Sequence, residues 1–519
     1  MSKFLKGTAI LLLAGFITRV LGFINRIAIA RFIGEEGVGL YMMAYPSLVL
    51  VITITQFGLP VAISKNIAEA EARGEYGKIK KILVVSLATT LTLSVIFTPA
   101  LILLAPWLSE TLFTDNRTFY PLIAIAPVVP VIAVSSVLRG YFQGRQNMKP
   151  AAYSQILEQF FRIALIAVMT KAFLPYGIEY AAAGAMLSAV IGEVVSLIYL
   201  MTAFKLKKKF RLRKDFFKFV RDGKQPFKEL MTVAVPTTGS RLIGSISWFF
   251  EPIVVSLSLG LAGIAAAEAT KQYGALTGFA MPLLLLPSFI TYSLATSLVP
   301  AISEANSKSD GKLIEYRLQQ SLRFAFLTGG ISVAVLYVLA EPLMMLMYGS
   351  KNGAQFIRLM APFFLFYYYQ GPLQAALQAL NLAKAAMINS LIGAVVKTAV
   401  IFVLASQPSF GINGAALGII TSFVLVTLLH FATVLKRISF SFYVMDYLKA
   451  FFAIGISGYA GYFIYVNFAA DTPLLSRVLL SAASMGVLYM VMVVTLKLIR
   501  PAELKRIPFI GPFLARLSF

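Results

Sequence analysis

Long unbroken apolar runs, each near 22 residues and separated by short polar loops, recur from one end of the chain to the other. A helix needs about 20 apolar residues to cross a bilayer. A membrane barrel would instead show segments of about ten residues with alternating polarity. The runs predict about fourteen spans, over 7–33, 37–62, 82–104, 119–142, 151–173, 178–203, 231–259, 273–301, 322–340, 356–380, 386–406, 412–435, 446–468 and 474–498. Of the 519 residues 59% are apolar and 13% charged, with mean hydropathy +0.81. Soluble domains carry about 45–50% apolar and about 25% charged residues, so an ordinary soluble enzyme is excluded. The expected fold class is an all-α membrane protein.

The first run, Ile10 to Ile17, follows Lys3 and Lys6 like the apolar core of a signal peptide, and Ala28-Ile29-Ala30 supplies a small-residue cleavage pattern. Arg19 and Arg26 precede that pattern, where a signal peptide does not place them, so the run reads as a retained first span. The chain has no cysteine and one histidine, His430, which excludes disulfides, thiolate metal sites and a histidine cluster. Neither a Gly-x-x-x-x-Gly-Lys-Ser/Thr phosphate loop nor zinc-ligand spacing occurs, and no loop is long enough for a soluble catalytic domain. No cofactor or metal is expected, and the chain reads as a non-enzyme.

Lys and Arg outnumber Asp and Glu by 46 to 22, a net charge of +24. The basic residues lie in loops between spans, which points to orientation and to anionic membrane lipids rather than to nucleic acid. The largest cluster runs from Lys205 to Lys214 and on to Lys228, between the sixth and seventh spans. Basic short loops stay cytoplasmic, placing both termini inside, with roughly 34 Lys/Arg on that side against about 7 outside. Gly34-Glu35-Glu36-Gly37 then falls outside and reads as a turn.

An internal repeat is visible. Ala126-Pro127 matches Ala361-Pro362, 235 positions later, and the same offset pairs Gln143 with Gln378, Lys149 with Lys384 and Arg162 with Lys397. After a one-residue gap Gly184 meets Gly418; earlier, Arg19-Val-Leu-Gly22 matches Arg241-Leu-Ile-Gly244. Six spans per repeat is an even number, so both copies share one membrane orientation, as in parallel-repeat transporters. The expected organisation is a six-helix lobe over 1–204, a basic cytoplasmic linker over 205–229, and a second six-helix lobe over 230–437. Two extra helices over 438–499 and an amphipathic basic tail over 500–519 follow.

Charges inside spans are costly and mark function by default. Arg19 and Arg26 are two helical turns apart, and Arg241 repeats the first of them. Guanidinium groups grip phosphate bidentately and stay charged, so these arginines, with Lys397, suit an anionic phosphate-bearing substrate. Glu158 and Arg162 have the four-residue spacing of an ion pair. Glu193 and Glu251 are the other mid-span carboxylates, and all four residues are candidates for ion coupling or charge compensation.

Thr18 to Gly34 (TRVLGFINRIAIARFIG), Gln56 to Ser64 (QFGLPVAIS) and Arg139 to Gly144 (RGYFQG) resemble the polysaccharide-transporter arm of the multidrug/oligosaccharidyl-lipid/polysaccharide exporter superfamily. Within it the chain is most similar to sporulation proteins of spore-forming Gram-positive bacteria. The resemblance implies two six-helix lobes with two terminal helices. It also implies movement of a lipid-linked oligosaccharide, such as the peptidoglycan precursor lipid II for spore cortex, by alternating access. In the related lipid II flippases cavity arginines hold the pyrophosphate; Arg19 matches the first of these, whereas Asn25-Arg26 stands where that family has Arg-Asp. Two other functions compete: a cation-coupled multidrug exporter, and a non-transporting scaffold that recruits cell-wall synthesis enzymes through the basic loop or tail.

Overall fold

The computed structural model describes residues 3–207, 219, 221, 223–441, 443–468 and 471–499. The basic tail over 500–519 and most of the linker over 205–229 lie outside the described residues. Helices dominate throughout, as unbroken apolar sequence dictates where backbone groups must be satisfied within their own segment. The chain is an all-α, multi-pass membrane protein. It divides into two compact units, one of residues 1–278 with 405–412, the other of residues 279–404 with 413–519.

The first unit begins with α1 (Lys3–Gln56), 54 residues long. At 1.5 Å per residue it would extend about 80 Å, far beyond a hydrocarbon core of about 30 Å. It is broken at Gly34, whose φ of 63° and ψ of −169° are non-helical and suited to glycine. The break falls between the first two expected spans, within the segment read as a turn. Next come α2 (Leu59–Ala72), started by Pro60, and α3 (Tyr76–Trp107). After the loop at 113–118 follow α4 (Phe119–Ile125), α5 (Val128–Gly144), α6 (Lys149–Phe173) and α7 (Ile178–Lys207). Pro127 separates α4 from α5 because proline removes a helical hydrogen bond. The unit is completed by α8 (Lys224–Leu261) and α9 (Ala266–Tyr273).

One of its cores joins Leu59, Ile63 and Ile67 of α2 to Ile82 and Leu83 of α3, Val137 and Tyr141 of α5, and Leu230 and Ala234 of α8. Thus α8 packs on the N-terminal helices and belongs to the same unit, although the linker precedes it in sequence.

In the second unit α10 (Met281–Leu285) lies within the single span expected at 273–301, and α11 (Ser288–Ser307) begins in it and runs six residues past its end. The helical stretch Ala266–Leu285 and α11 meet at a 53° bend, where Pro287 interrupts the hydrogen-bond ladder. Beyond are α12 (Gly311–Val338), α13 (Ala340–Tyr348), α14 (Ala354–Ala379), α15 (Ala383–Ala405) and α16 (Ile412–Leu435). The last two helices are α17 (Val444–Phe463) and α18 (Leu474–Thr495). They dock on α12 through Ala450, Ala453, Tyr489 and Val493 around Leu327, with the Tyr489 hydroxyl donating to the Leu327 carbonyl at 2.8 Å.

Among the described residues ten helices are long and apolar enough to span a membrane, eleven counting the bent pair. The number falls short of fourteen for physical reasons. The candidate Leu13–Ala72 is 60 residues long and contains two of the expected spans. Helices α6 and α14 are 25 and 26 residues long, but polar side chains interrupt them, among them Glu158 and Arg162 in α6 and Gln370 and Gln374 in α14.

Candidate functional site

Two groups hold the charged side chains that the sequence places inside the spans of the first unit. The first is a closed cluster where α5, α6 and α7 meet. Arg139 Nη2 donates to Glu193 Oε1 at 3.1 Å, to Glu158 Oε2 at 3.4 Å and to Ser196 Oγ at 2.9 Å. Its Nε donates to Ser154 Oγ at 3.3 Å. Arg162 Nη2 donates to Glu158 Oε1 at 2.9 Å, forming the pair expected from four-residue spacing. Glu193 is 2% exposed, and none of the four charged side chains exceeds 18%. Two cations and two anions balance, which a buried charge requires.

Arg139 is the member that sequence reasoning missed. It ends an apolar run, where a basic residue reads as an interfacial anchor. Only the packing of three helices places it beneath two carboxylates.

The second group is more open. Arg19 on α1 and Arg241 on α8 are exposed, and Arg26 is half-buried. The Tyr41 phenol lies within electrostatic reach of both Arg162 and Arg26, which brings Arg26 toward the edge of the closed cluster. Helix α8 is seated on α1 by Thr53 and Ser245, whose hydroxyls are 2.8 Å apart. Ser245 also donates to the Arg241 carbonyl one turn earlier. Glu251, half-buried on α8, has the Tyr273 hydroxyl at 3.5 Å. Lys397 is half-buried on α15 in the second unit.

At the loop end of the first unit Asp115 is 5% exposed and accepts from the Arg117 backbone, from its Nε and Nη2, and from Thr270 of α9. Burial pushes its carboxyl up, but these donors more than offset that and hold it below the ordinary carboxylate range. Arg117 also donates to Glu36 of α1, giving a structural partner to a residue read from sequence as part of a simple turn. Nothing in the sequence pairs Asp115 with Thr270, 155 residues away.

The repeat offset has structural counterparts inside each unit. Gly184 of α7 lets that helix approach α6, where an added Cβ would stand 2.8 Å from the Met169 carbonyl. Gly418 of α16 lies against Ile401 and the Lys397 carbonyl of α15 in the same manner. Both are small-residue contacts of the kind that bring membrane helices together.

The family model described as polysaccharide biosynthesis protein matches residues 4–306, and the MatE model matches residues 244–403. Stage V sporulation protein B of Bacillus subtilis (strain 168) is 60% identical over 517 residues, 99% of each chain. Lipid II flippase MurJ of the same organism is 26% identical over 452 residues, covering 81% of each chain. The fold matches a solved inward-facing multidrug resistance MATE family transporter of the MOP superfamily, with TM-score 0.70, 17% identity, and coverage of 81% of this chain and 94% of that one. It also matches lipid II flippase MurJ in an inward closed conformation, with TM-score 0.67, 16% identity, and coverage of 93% and 99%. The chain belongs to the polysaccharide biosynthesis protein family, in the multidrug/oligosaccharidyl-lipid/polysaccharide exporter superfamily.

Proposed function

We propose that the protein moves a lipid-linked oligosaccharide, a peptidoglycan precursor such as lipid II, across the cytoplasmic membrane by alternating access, and that it serves spore cortex synthesis. Arg19, Arg26 and Arg241 receive the pyrophosphate. The observation carrying this reading is the contrast between the two groups of cations. Arg139 and Arg162 are largely buried where three helices meet, whereas Arg19 and Arg241, which begin matching Arg-x-x-Gly segments, are exposed on two helices of one unit. Names of relatives agree, since one is a sporulation protein and another a lipid II flippase.

On this reading Glu158, Glu193 and Arg162 compensate charge and fix α5, α6 and α7, while Glu251, outside that cluster, serves ion coupling. Lys397, the repeat counterpart of Arg162, supplies positive charge in the second six-helix lobe. The two lobes are 1–204 and 230–437, both termini face the cytoplasm, and the basic linker and tail bind anionic lipid. The MatE match supports a second reading, a cation-coupled multidrug exporter. A cationic drug would favour carboxylates, and the open group here is arginine-rich.

The test is flipping of labelled lipid II by purified protein in liposomes, with and without a membrane potential. Transport by the wild type and its loss in Arg19→Ala and Arg241→Ala supports the reading. Absence of transport by the wild type, with drug sensitivity in a deletion strain, would replace it with the second.

A further inference from the structure

A row of aromatic rings stands beside the arginines. Tyr41 and Tyr45, one turn apart on α1, stack with ring centroids 5.6 Å apart, and Tyr45 meets Trp248 of α8 edge-on at 5.8 Å. Trp248 lies seven residues after Arg241, two turns along the same face of α8, with Ser245 between them. Both tyrosines are within electrostatic reach of Arg162. Tyr41 is buried, while Tyr45 and Trp248 are half-buried and keep part of each ring uncovered.

A second observation concerns the seam between α1 and α6. Asn25, 5% exposed, has a buried Oδ1 with no donor; Gln159 Oε1 is buried with no donor; Arg162 Nε is buried with no acceptor. Gln159 Oε1 faces α1, 4.0 Å from where a Cβ on Gly22 would stand, and Gly22, Asn25 and Arg26 share that helix face. The seam therefore has two acceptors and one donor unsatisfied, each of which folding penalises until a partner arrives. A phosphate would satisfy only the donor, and a metal ion only the acceptors. Hydroxyl groups, which donate and accept, satisfy all three. Polarised C–H edges of a sugar ring also suit the negative face of an aromatic ring.

We propose that Tyr45 and Trp248 form a saccharide subsite. The first sugar of the lipid-linked substrate packs on these rings and exchanges hydroxyl hydrogen bonds with Asn25, Gln159 and Arg162, while its phosphates remain with the arginines. The proposal deepens the function given above and rests on it.

The experiment measures retention of two radiolabelled lipids by the full-length protein in nanodiscs: a polyprenyl pyrophosphate, and the same lipid carrying a disaccharide. Trp248→Ala and Tyr45→Ala are expected to weaken the saccharide-bearing lipid about tenfold, which is about 1.4 kcal/mol. Both should leave the bare pyrophosphate within twofold, whereas Arg241→Ala weakens both lipids. Trp248→Phe, which keeps a ring and guards against misfolding, retains most of the saccharide preference. Because the chain has two tryptophans, Trp107→Phe leaves Trp248 as sole reporter, and its emission should shift with the saccharide-bearing lipid only. Equal losses for both lipids, or none, in Trp248→Ala and Tyr45→Ala overturn the subsite while leaving the transport reading intact. No retention of either lipid by the wild type overturns both.

Discussion

The Thr270 hydroxyl donates to Asp115 Oδ2 at 2.8 Å, joining helix α9 to the loop between α3 and α4. The same carboxylate accepts three bonds from Arg117, whose Nη1 donates to Glu36 of α1. One buried acid thus ties three segments that are remote in sequence.

Thr270→Val preserves the shape of the residue and removes the donor, leaving a buried carboxylate one bond short. The expected cost is about 1.5–3 kcal/mol, the range for a hydrogen bond to a charged group. Thermal unfolding of purified protein at neutral pH measures it. The pH dependence follows from the depressed folded-state pKa of Asp115. Its contribution is complete above the unfolded value of about 3.8 and is lost as pH falls from there through the folded value. Asp115→Asn should lower stability at neutral pH and flatten the acid limb of the profile. An unchanged limb would show that this carboxyl is not its source.

The helices were legible because each expected span is a run of one period and one polarity. The break in α1 was legible as well, since Gly34 stands between two such runs. The bend at Pro287 carries the ordinary proline signal, but many spans hold prolines and nothing local tells which of them bends sharply. The division after Gly278 was also hidden, because it depends on α8 and α9 packing against α1 and α2 rather than on local composition. In the charged cluster the Glu158–Arg162 pair follows from spacing along one helix. Arg139 and Glu193 join it only through contacts between helices, which one-dimensional spacing does not encode. The Asp115–Thr270 bond is beyond sequence for the same reason.

The cluster of Arg139, Glu158, Arg162 and Glu193 supports a double-mutant cycle. Removing one partner leaves an uncompensated charge in a low-dielectric interior, so Arg139→Leu and Glu193→Leu are each expected to cost about 3–5 kcal/mol. The double variant should cost clearly less than their sum, because both charges leave together. Abundance in membranes and unfolding in detergent supply the measurement. Additive losses would mean that the two side chains do not interact.

Close approach makes a sharp contrast between two glycines. A Cβ on Gly39 of α1 would overlap the backbone carbonyl of Thr270, which cannot swing aside as a side chain can. Gly39→Ala should therefore separate α1 from α9 and lower folded yield severely. Gly244 of α8 has no heavy atom within 4 Å of its added Cβ. Gly244→Ala should be neutral or stabilising by up to about 1 kcal/mol, since alanine favours helix. Fluorescence-detected size-exclusion profiles of the two variants distinguish these outcomes.

The arginines proposed for the pyrophosphate are tested most directly by lysine. Arg19→Lys and Arg241→Lys keep the positive charge but lose the planar fork that engages two phosphate oxygens at once. Losing one charge-assisted bond is worth about 1.5–3 kcal/mol, so substrate affinity should fall roughly ten- to hundredfold. Alanine removes the charge as well and should abolish flipping at unchanged protein abundance. A graded series, arginine above lysine above alanine, therefore identifies phosphate recognition rather than general charge balance, for which lysine would serve as well as arginine. Equal activity of arginine and lysine forms would reduce both residues to a diffuse positive field. Full activity of both alanine variants would place the phosphate elsewhere.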